Sequence, residues 1–329
     1  MDIRHILNNC ILCPRKCGVD RTSGHTGACH MTDTVRVSRA ALHMWEEPCI
    51  SGENGSGAVF FSGCALGCCF CQNKAISGGK AGKNISISRL CNIFFELQDK
   101  GANNINLVTP DHYIPQIISA IDMARSRNFK LPFVYNCSGY ETAEMIQLLD
   151  GYIDVYLPDF KFMSPDLSAK YSNAPDYPEH AKASISEMVR QCGGDQTRFD
   201  DDGIMQRGVI VRHLQLPDHL DDSKSIITYL YNTYKDSIYI SIMNQYTPMP
   251  GIENRFPELG RTITPSEYDE LVDYAIACDA DANGAYNIAR KGLWIVEQFK
   301  KADNVSTVEP VIHNDQWLKF VQENDMANN

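Results

Sequence analysis

The chain has 329 residues, a formal net charge of −11, 43% hydrophobic residues and 22% charged residues. These values are ordinary for a globular protein with one large core, and no apolar run approaches the roughly 20 residues that span a bilayer. The acidic balance disfavours a protein whose main task is to hold nucleic acid, because that task needs a clustered basic surface.

Residues 1–50 are loop-rich and are expected to form a separate extension. The opening MDIRHILNNC lacks both the apolar core and the cleavage site of a secretory signal, so we expect a cytoplasmic protein with no membrane partner. The run that follows, CPRKCGVDRTSGHTGAC, carries Gly, Pro and Cys in place of a helical or strand period.

Cysteine is abundant, and its distribution predicts metal binding. The chain has thirteen cysteines, and eight of them, besides Cys49, lie in the first 71 residues. In a reducing compartment, ligation of a metal or cluster explains such bunching better than disulfides do. Cys10, Cys13, Cys17 and Cys29 form two close pairs that could enclose Zn²⁺ or an all-cysteine iron–sulfur cluster. Free thiols, or a nearby histidine as a ligand, remain alternatives.

From Ala58 onward, strand-like runs alternate with helix-compatible segments. The apolar runs lie at 58–62, 105–108, 132–136, 153–157, 208–212 and 238–242. Such alternation predicts a parallel sheet covered by crossover helices, and continuous apolar strands suit a sheet that is buried on both faces. Six units predict an α/β fold with a partial (β/α)6 barrel of the TIM type, a cysteine-rich amino-terminal extension and a helical carboxyl-terminal tail.

Polar residues follow nearly every predicted strand. The strand ends read SGC, TPDH, NCSG, PDFK, RHLQLP and NQYTP. In barrels of parallel strands the chemistry gathers at the carboxyl ends, so one mouth of this barrel is predicted to hold the active site.

A three-cysteine loop follows the first of these strands. Cys64, Cys68 and Cys71 have the spacing C-x3-C-x2-C, which can hold three irons of a [4Fe-4S] cluster and leave the fourth iron open for catalysis. A zinc knuckle or buried thiols are the alternatives. Cys69 matches no ligand position and is expected to pack.

This loop resembles the radical S-adenosylmethionine (SAM) superfamily. With blocks such as YNCSGYE, IDVYLPDFKF and GVIVRHLQLP, residues from about Cys10 to Ile276 are similar to an uncharacterised family related to pyruvate formate-lyase activating enzymes. The resemblance implies a radical SAM partial barrel at 51–277. It also implies an oxidoreductase that uses a [4Fe-4S] cluster to cleave SAM reductively to methionine and a 5′-deoxyadenosyl radical.

The resemblance also implies roles for single residues. Asp159 and Lys161 match the Asp-x-Lys that faces the ribose and carboxylate of SAM, and they are the expected catalytic pair. The expected SAM-binding set adds polar and aromatic residues at other strand ends, namely Phe70, Thr109, Asn136, Ser138, Arg212 and Gln245. Where relatives have a Gly-Gly-Glu type loop for the SAM amino group, this chain has Thr109-Pro110-Asp111, so the acceptor of that group stays open.

The tail, residues 278–329, resembles a different protein class. DADANGAYNIARKG is similar to the carboxyl end of type V RNA-guided CRISPR nucleases, in which the aspartate at the position of Asp281 binds catalytic metal ions. Two-metal hydrolysis needs several converging carboxylates, and the other two nuclease motifs have no counterpart here. From Asp281 onward, five Lys/Arg stand against seven Asp/Glu, so no nucleic-acid partner is expected. Helices are predicted at 284–301 and 315–322.

Two classes of function remain in competition. The favoured one is a radical SAM enzyme that abstracts hydrogen from a partner protein such as a glycyl-radical enzyme, with flavodoxin or ferredoxin as electron donor. A radical SAM enzyme that acts on a small molecule is the second enzymatic reading. The other class is a non-catalytic iron–sulfur or zinc scaffold, which would not need the Asp-x-Lys beside the cluster.

Overall fold

A computed structural model describes residues 5–278 of the chain. This part contains nine strands, β1–β9, which are Arg36–His43, Ser56–Phe61, Lys83–Asn84, Ile105–Val108, Phe133–Cys137, Val155–Pro158, Arg198–Phe199, Met205–Leu214 and Tyr239–Met243. The tail helices predicted at 284–301 and 315–322, and Asp281, lie outside the described residues.

The same part contains ten α-helices, α1–α10. They are His5–Asn8, Pro48–Ser51, Lys74–Ser77, Ile87–Asp99, Ile114–Ser126, Ala143–Gln147, Pro165–Ser172, Tyr177–Cys192, Leu220–Tyr234 and Pro265–Ala277. None of the described helices is long and apolar enough to cross a membrane.

The strands form one mixed sheet. Strands β2, β4, β5, β6, β8 and β9 are parallel neighbours in chain order. Strands β1, β3 and β7 add antiparallel pairs at the flanks. Each step between parallel neighbours carries at least one α-helix, as a crossover between parallel strands requires. All six predicted strands are confirmed, and the fold is mixed α/β with a central sheet.

Helix α4 shows why the crossover segments are helical. The Ser86 hydroxyl accepts a hydrogen bond from the backbone N–H of Arg89, which caps the first turn. Leu90, Phe94 and Leu97 follow at helical spacing and are fully buried. The helix therefore packs one apolar face against the sheet.

Strand β1 lies inside the segment that was predicted to be loop-rich. Its sequence, RVSRAALH, has no clear apolar alternation, and most of its residues are only partly buried. The strand exists because it pairs along its length with β2, a contact that local sequence does not reveal. The amino-terminal extension therefore contributes to the central sheet.

The inner face of the sheet has an apolar floor below a polar layer. Val134, Val155 and Ile210 form a buried cluster with Ile50 of α2. Because strand side chains alternate between faces, Asn136 and Arg212 lie on the same face as this floor, one step further toward the carboxyl ends. The polar residues predicted from the strand ends therefore lie above a closed apolar layer.

Candidate active site

The loop after β2 brings the three predicted cluster cysteines together. Cys64, Cys68 and Cys71 are each half-buried, and Cys68 is close enough to both of the others for their charges to act on one another. Gly63 precedes the loop with a φ of +91°, and a Cβ there would lie 2.6 Å from the carbonyl oxygen of Cys29. Only glycine fits this turn without strain.

The surroundings of Cys68 are polar. The Ser172 hydroxyl donates a hydrogen bond to its sulfur at 3.1 Å, and the charge of Lys161 acts on it. Burial raises the pKa of the Cys64 thiol to about 12 and also raises the pKa of Cys68. A metal that binds these sulfurs must therefore displace their protons.

Asp159 stands between two cations at the end of β6. Its carboxylate lies 2.5 Å from the Lys161 ammonium and 2.9 Å from the Arg212 guanidinium. Burial alone would raise the pKa of Asp159, but Arg212 and Lys161 outweigh burial and lower it. Asp159 is therefore ionised at neutral pH, and the ion pair faces the cluster loop through Lys161.

Glu46 joins this network from the amino-terminal extension. Its carboxylate accepts from Arg212 at 2.8 Å, from Asn106 at 2.9 Å and from Asn136 at 3.2 Å. Sequence reasoning missed Glu46, although two adjacent acids immediately before the Pro48 helix were a signal for an ordered role. The neighbouring Glu47 is buried, and burial raises its pKa to about 7.

A second cluster was also missed. One carboxylate oxygen each of Asp111 and Glu141 and the Cys137 sulfur lie within 4.8 Å of one another, and all three residues are buried. Burial raises the pKa of Asp111 to about 6 and the pKa of Glu141 far above its usual value. Two close carboxylates cannot both ionise at low cost, so the pair holds a proton at neutral pH. In the sequence, Asp111 and Glu141 are 30 residues apart and form no motif.

The remaining residues predicted to bind SAM differ in how close they lie to the network of Asp159. Thr109 adopts a φ of +56° at the end of β4, and its N–H donates to the Asn136 carbonyl. Ser138 lies 3.5 Å from Glu141. Phe70 is buried among aromatic rings, with its centroid 6.1 Å from that of Phe162. Gln245 is exposed and contacts the Met243 sulfur, so it stands apart from the network of Asp159.

Two family models match this sequence. The model of the radical SAM superfamily matches residues 58–192, and that of the RuvC nuclease domain matches residues 140–326, more than half of the chain. The chain therefore belongs to the RuvC nuclease domain family by the extent of that match, and its sheet up to residue 192 is similar to the radical SAM superfamily. The RuvC match begins far before the fifty-residue tail in which likeness to a nuclease was expected. In the structure, 140–278 continue the same parallel sheet.

The chain also resembles individual proteins. It is 28% identical over 279 residues to an uncharacterized protein of Methanocaldococcus jannaschii, covering 83% of this chain and 75% of the relative.

Two solved structures are similar to this fold. They are a radical SAM methyltransferase from Sphaerobacter thermophilus and Streptococcus suis SuiB bound to S-adenosylmethionine, at 14% and 12% identity and TM-scores of 0.44 and 0.43. The alignments cover 68% and 65% of this chain. They span 64% and 44% of those solved chains, less than two thirds of either.

Radical SAM proteins carry a [4Fe-4S] cluster and bind SAM, and these are the cofactors of this chain. The donor set fits the cluster, because three half-buried thiols converge on one loop and iron–sulfur clusters are held by thiolates. A largely buried ion pair beside that loop fits a ligand with both an ammonium and a carboxylate group.

Proposed function

We propose that this protein is a radical SAM enzyme built on a partial (β/α)6 barrel, with the cluster held by Cys64, Cys68 and Cys71. One observation carries the proposal: the Asp159–Lys161 ion pair lies beside Cys68, at the carboxyl edge of six parallel strands. A merely structural cluster has no need of a buried, charge-balanced pair of this kind. The parallel order of the strands supports the barrel geometry.

When bound, the cluster and SAM supply reductive cleavage of SAM to methionine and a 5′-deoxyadenosyl radical. The chain's own residues bind and orient. Lys161 offers a compact positive charge to the SAM carboxylate, and Asp159 offers acceptor oxygens to the ribose. Arg212 holds Asp159 ionised, and Glu46 and Asn136 fix the Arg212 guanidinium in turn.

The acceptor of the SAM ammonium group is assigned to Asp111. This residue stands after β4, where relatives have their Gly-Gly-Glu type loop, and its charge acts on Cys64. Asp111 and Glu141 each keep one buried oxygen without a hydrogen-bond partner in the described residues. An unpaired buried acceptor is costly, and an ammonium donor would satisfy it.

The reaction proposed is hydrogen abstraction from a partner protein, as in activating enzymes for glycyl-radical enzymes, with a low-potential flavodoxin or ferredoxin as electron donor. Abstraction from a small molecule is the second enzymatic candidate. The test is anaerobic reconstitution with iron and sulfide, followed by reduction with SAM present. Release of 5′-deoxyadenosine supports the enzyme, and its absence from a protein with a full cluster favours a scaffold.

Lys161→Ala is expected to weaken SAM binding without loss of iron. Removing one charge-assisted contact costs about 1.5–3 kcal/mol, roughly ten- to a hundredfold in affinity. Asp159 keeps Arg212 as a partner, so the fold should persist. Equilibrium binding of radiolabelled SAM to reconstituted protein measures the change, and iron analysis checks the cluster.

Lys170→Ala is the matched control. Lys170 is an exposed lysine whose ammonium pairs with Glu258, so its loss should leave SAM affinity unchanged. Equal affinities of the wild-type and Lys161→Ala proteins would place Lys161 away from SAM.

The match to the RuvC nuclease domain is not proposed to give nuclease activity. A lone aspartate cannot hold the two divalent ions that the chemistry needs. We expect no Mg²⁺-dependent cleavage of single- or double-stranded DNA, and no difference between the wild-type protein and Asp281→Ala. Incubation with labelled DNA, with and without EDTA, measures this. Cleavage that requires Mg²⁺ and disappears in Asp281→Ala would show an active nuclease.

A further inference from the structure

The four amino-terminal cysteines converge, although eleven residues separate the last two of them. Cys13 lies near enough to Cys29, Cys17 and Cys10 for the charges of all three thiols to act on it. Cys10, Cys13 and Cys29 are buried, whereas Cys17 is exposed. Four sulfur atoms from a segment of 20 residues therefore lie near one another, and only that of Cys17 is at the surface.

The backbone around these sulfur atoms is folded tightly. The N–H of Ala28 donates to the Cys17 sulfur at 3.3 Å, and a Cβ at Gly27 would lie 2.7 Å from the same sulfur. Cys10 is held by two backbone hydrogen bonds, from its own N–H to Val19 and from Gly18 to its carbonyl. N–H groups directed at sulfur are the contacts that stabilise and tune metal-bound thiolates.

Arg21 supplies an independent observation. Its side chain is fully buried, and its guanidinium donates to the carbonyl oxygens of Met31, Thr32 and His112. No carboxylate of residues 5–278 forms an ion pair with it. A buried cation without an anion is strongly unfavourable. The nearest candidates for that anion are Cys10, whose sulfur lies 4.0 Å from the guanidinium, and Cys29, on which the charge of Arg21 also acts.

The spacing of the sulfur atoms favours an iron–sulfur cluster over a single zinc ion. Zinc bound tetrahedrally at about 2.3 Å needs sulfur atoms about 3.8 Å apart. Within the described residues, Asp111, Cys137 and Glu141 are the one set of three ligand atoms that all lie within 4.8 Å of one another. No three of the four amino-terminal sulfur atoms therefore approach as closely as a single zinc ion requires. The sulfur atoms of Cys64, Cys68 and Cys71 likewise do not all lie within 4.8 Å of one another.

We propose that Cys10, Cys13, Cys17 and Cys29 hold an iron–sulfur cluster of their own, with Arg21 as its buried counter-charge. All four ligands come from the protein, so no iron is left open for SAM. The site packs against the catalytic loop, since the Cys29 carbonyl meets Gly63 and the Arg15 guanidinium donates to the Ala65 carbonyl at 3.1 Å.

The test uses the full chain with Cys64, Cys68 and Cys71 all replaced by Ala, reconstituted anaerobically with iron, sulfide and zinc all present. We expect about four irons with acid-labile sulfide per chain. After reduction, the electron paramagnetic resonance signal should not change when SAM is added. Adding Cys13→Ser should remove this iron, whereas adding Cys278→Ser should not. Zinc without sulfide, or no metal in a variant with wild-type circular dichroism, would overturn the proposal.

A second measurement tests the proposal even if the variant without the three catalytic cysteines does not fold. In the otherwise wild-type chain, Cys13→Ser should lower the iron content from about eight to about four per chain. The iron that remains should still respond to SAM, because the catalytic loop is intact. An unchanged iron content in Cys13→Ser would contradict the second cluster. A wild-type protein with iron but no response to SAM would count against the proposed function alone.

Discussion

Replacing Cys68 by serine is expected to abolish 5′-deoxyadenosine formation, to the background of protein without iron. Cys68 is the central ligand of the proposed cluster, and its sulfur is fixed by the Ser172 hydroxyl and lies near Lys161. A serine hydroxyl stays protonated at neutral pH and is a poor ligand for iron, so this loop would no longer bind the cluster. Reduced protein is incubated with SAM, and nucleoside and methionine are quantified by chromatography.

The matched control is the adjacent Cys69→Ser. Cys69 is half-buried like Cys68, but it matches no ligand position, and its N–H is bound to the Tyr171 carbonyl. Its replacement should leave product formation close to that of the wild type. If the Cys68 and Cys69 variants lost activity equally, local packing would explain the loss better than ligation. SAM cleavage by a variant that lacks all three cysteines would refute the assignment of the cluster.

Arg212→Leu is expected to lower the free energy of unfolding by about 3–5 kcal/mol. The guanidinium forms ion pairs with Glu46 and Asp159 in a setting where all three side chains are at most 16% exposed. Removing it leaves two nearby, largely buried carboxylates without their shared cation, and both also act on the charge of the neighbouring Glu47. The change in the free energy of unfolding is measured by urea unfolding of the metal-free protein without SAM, and circular dichroism follows the transition.

Arg190→Leu provides the comparison on the surface. Arg190 also pairs with two carboxylates, Asp150 and Glu187, but its side chain is 56% exposed. Water screens such pairs, so we expect a loss below about 1 kcal/mol. If the two arginine variants lost the same stability, the Arg212 network would be no more than a solvated charge cluster.

Local sequence was sufficient for the strands and for the position of the three-cysteine loop after β2. Continuous apolar runs such as INLV predict buried strands because every side chain in them must leave water, and the structure places a strand at each of the six runs. Cys64, Cys68 and Cys71 are near one another in the chain, so their spacing limits where their sulfur atoms can lie. Asp159 and Lys161 are equally local, two residues apart on one strand end.

The polar layer around Arg212 could be predicted only in part. Asn136 and Arg212 were expected from the strand ends, but Glu46 was not, because its partner Arg212 is 166 residues away along the chain. Nothing in the local pattern of a loop-rich segment shows that α2 enters the inner face of the sheet. Gln245 is a case of the opposite kind: it was predicted as a site residue, but it is exposed, since a polar residue after a strand need not face the site.

The sequence by itself determined the order of the parallel strands, the cysteine loop and the charged strand end that follows β6. These features depend on hydrophobic period and on ligand spacing, which are properties of short segments. The tertiary structure alone decided that β1 joins the sheet, that Asp111, Cys137 and Glu141 meet, and that Arg21 lies buried beside Cys10. These contacts join distant segments, and their energies depend on burial and neighbouring charges that exist only once the sheet has formed.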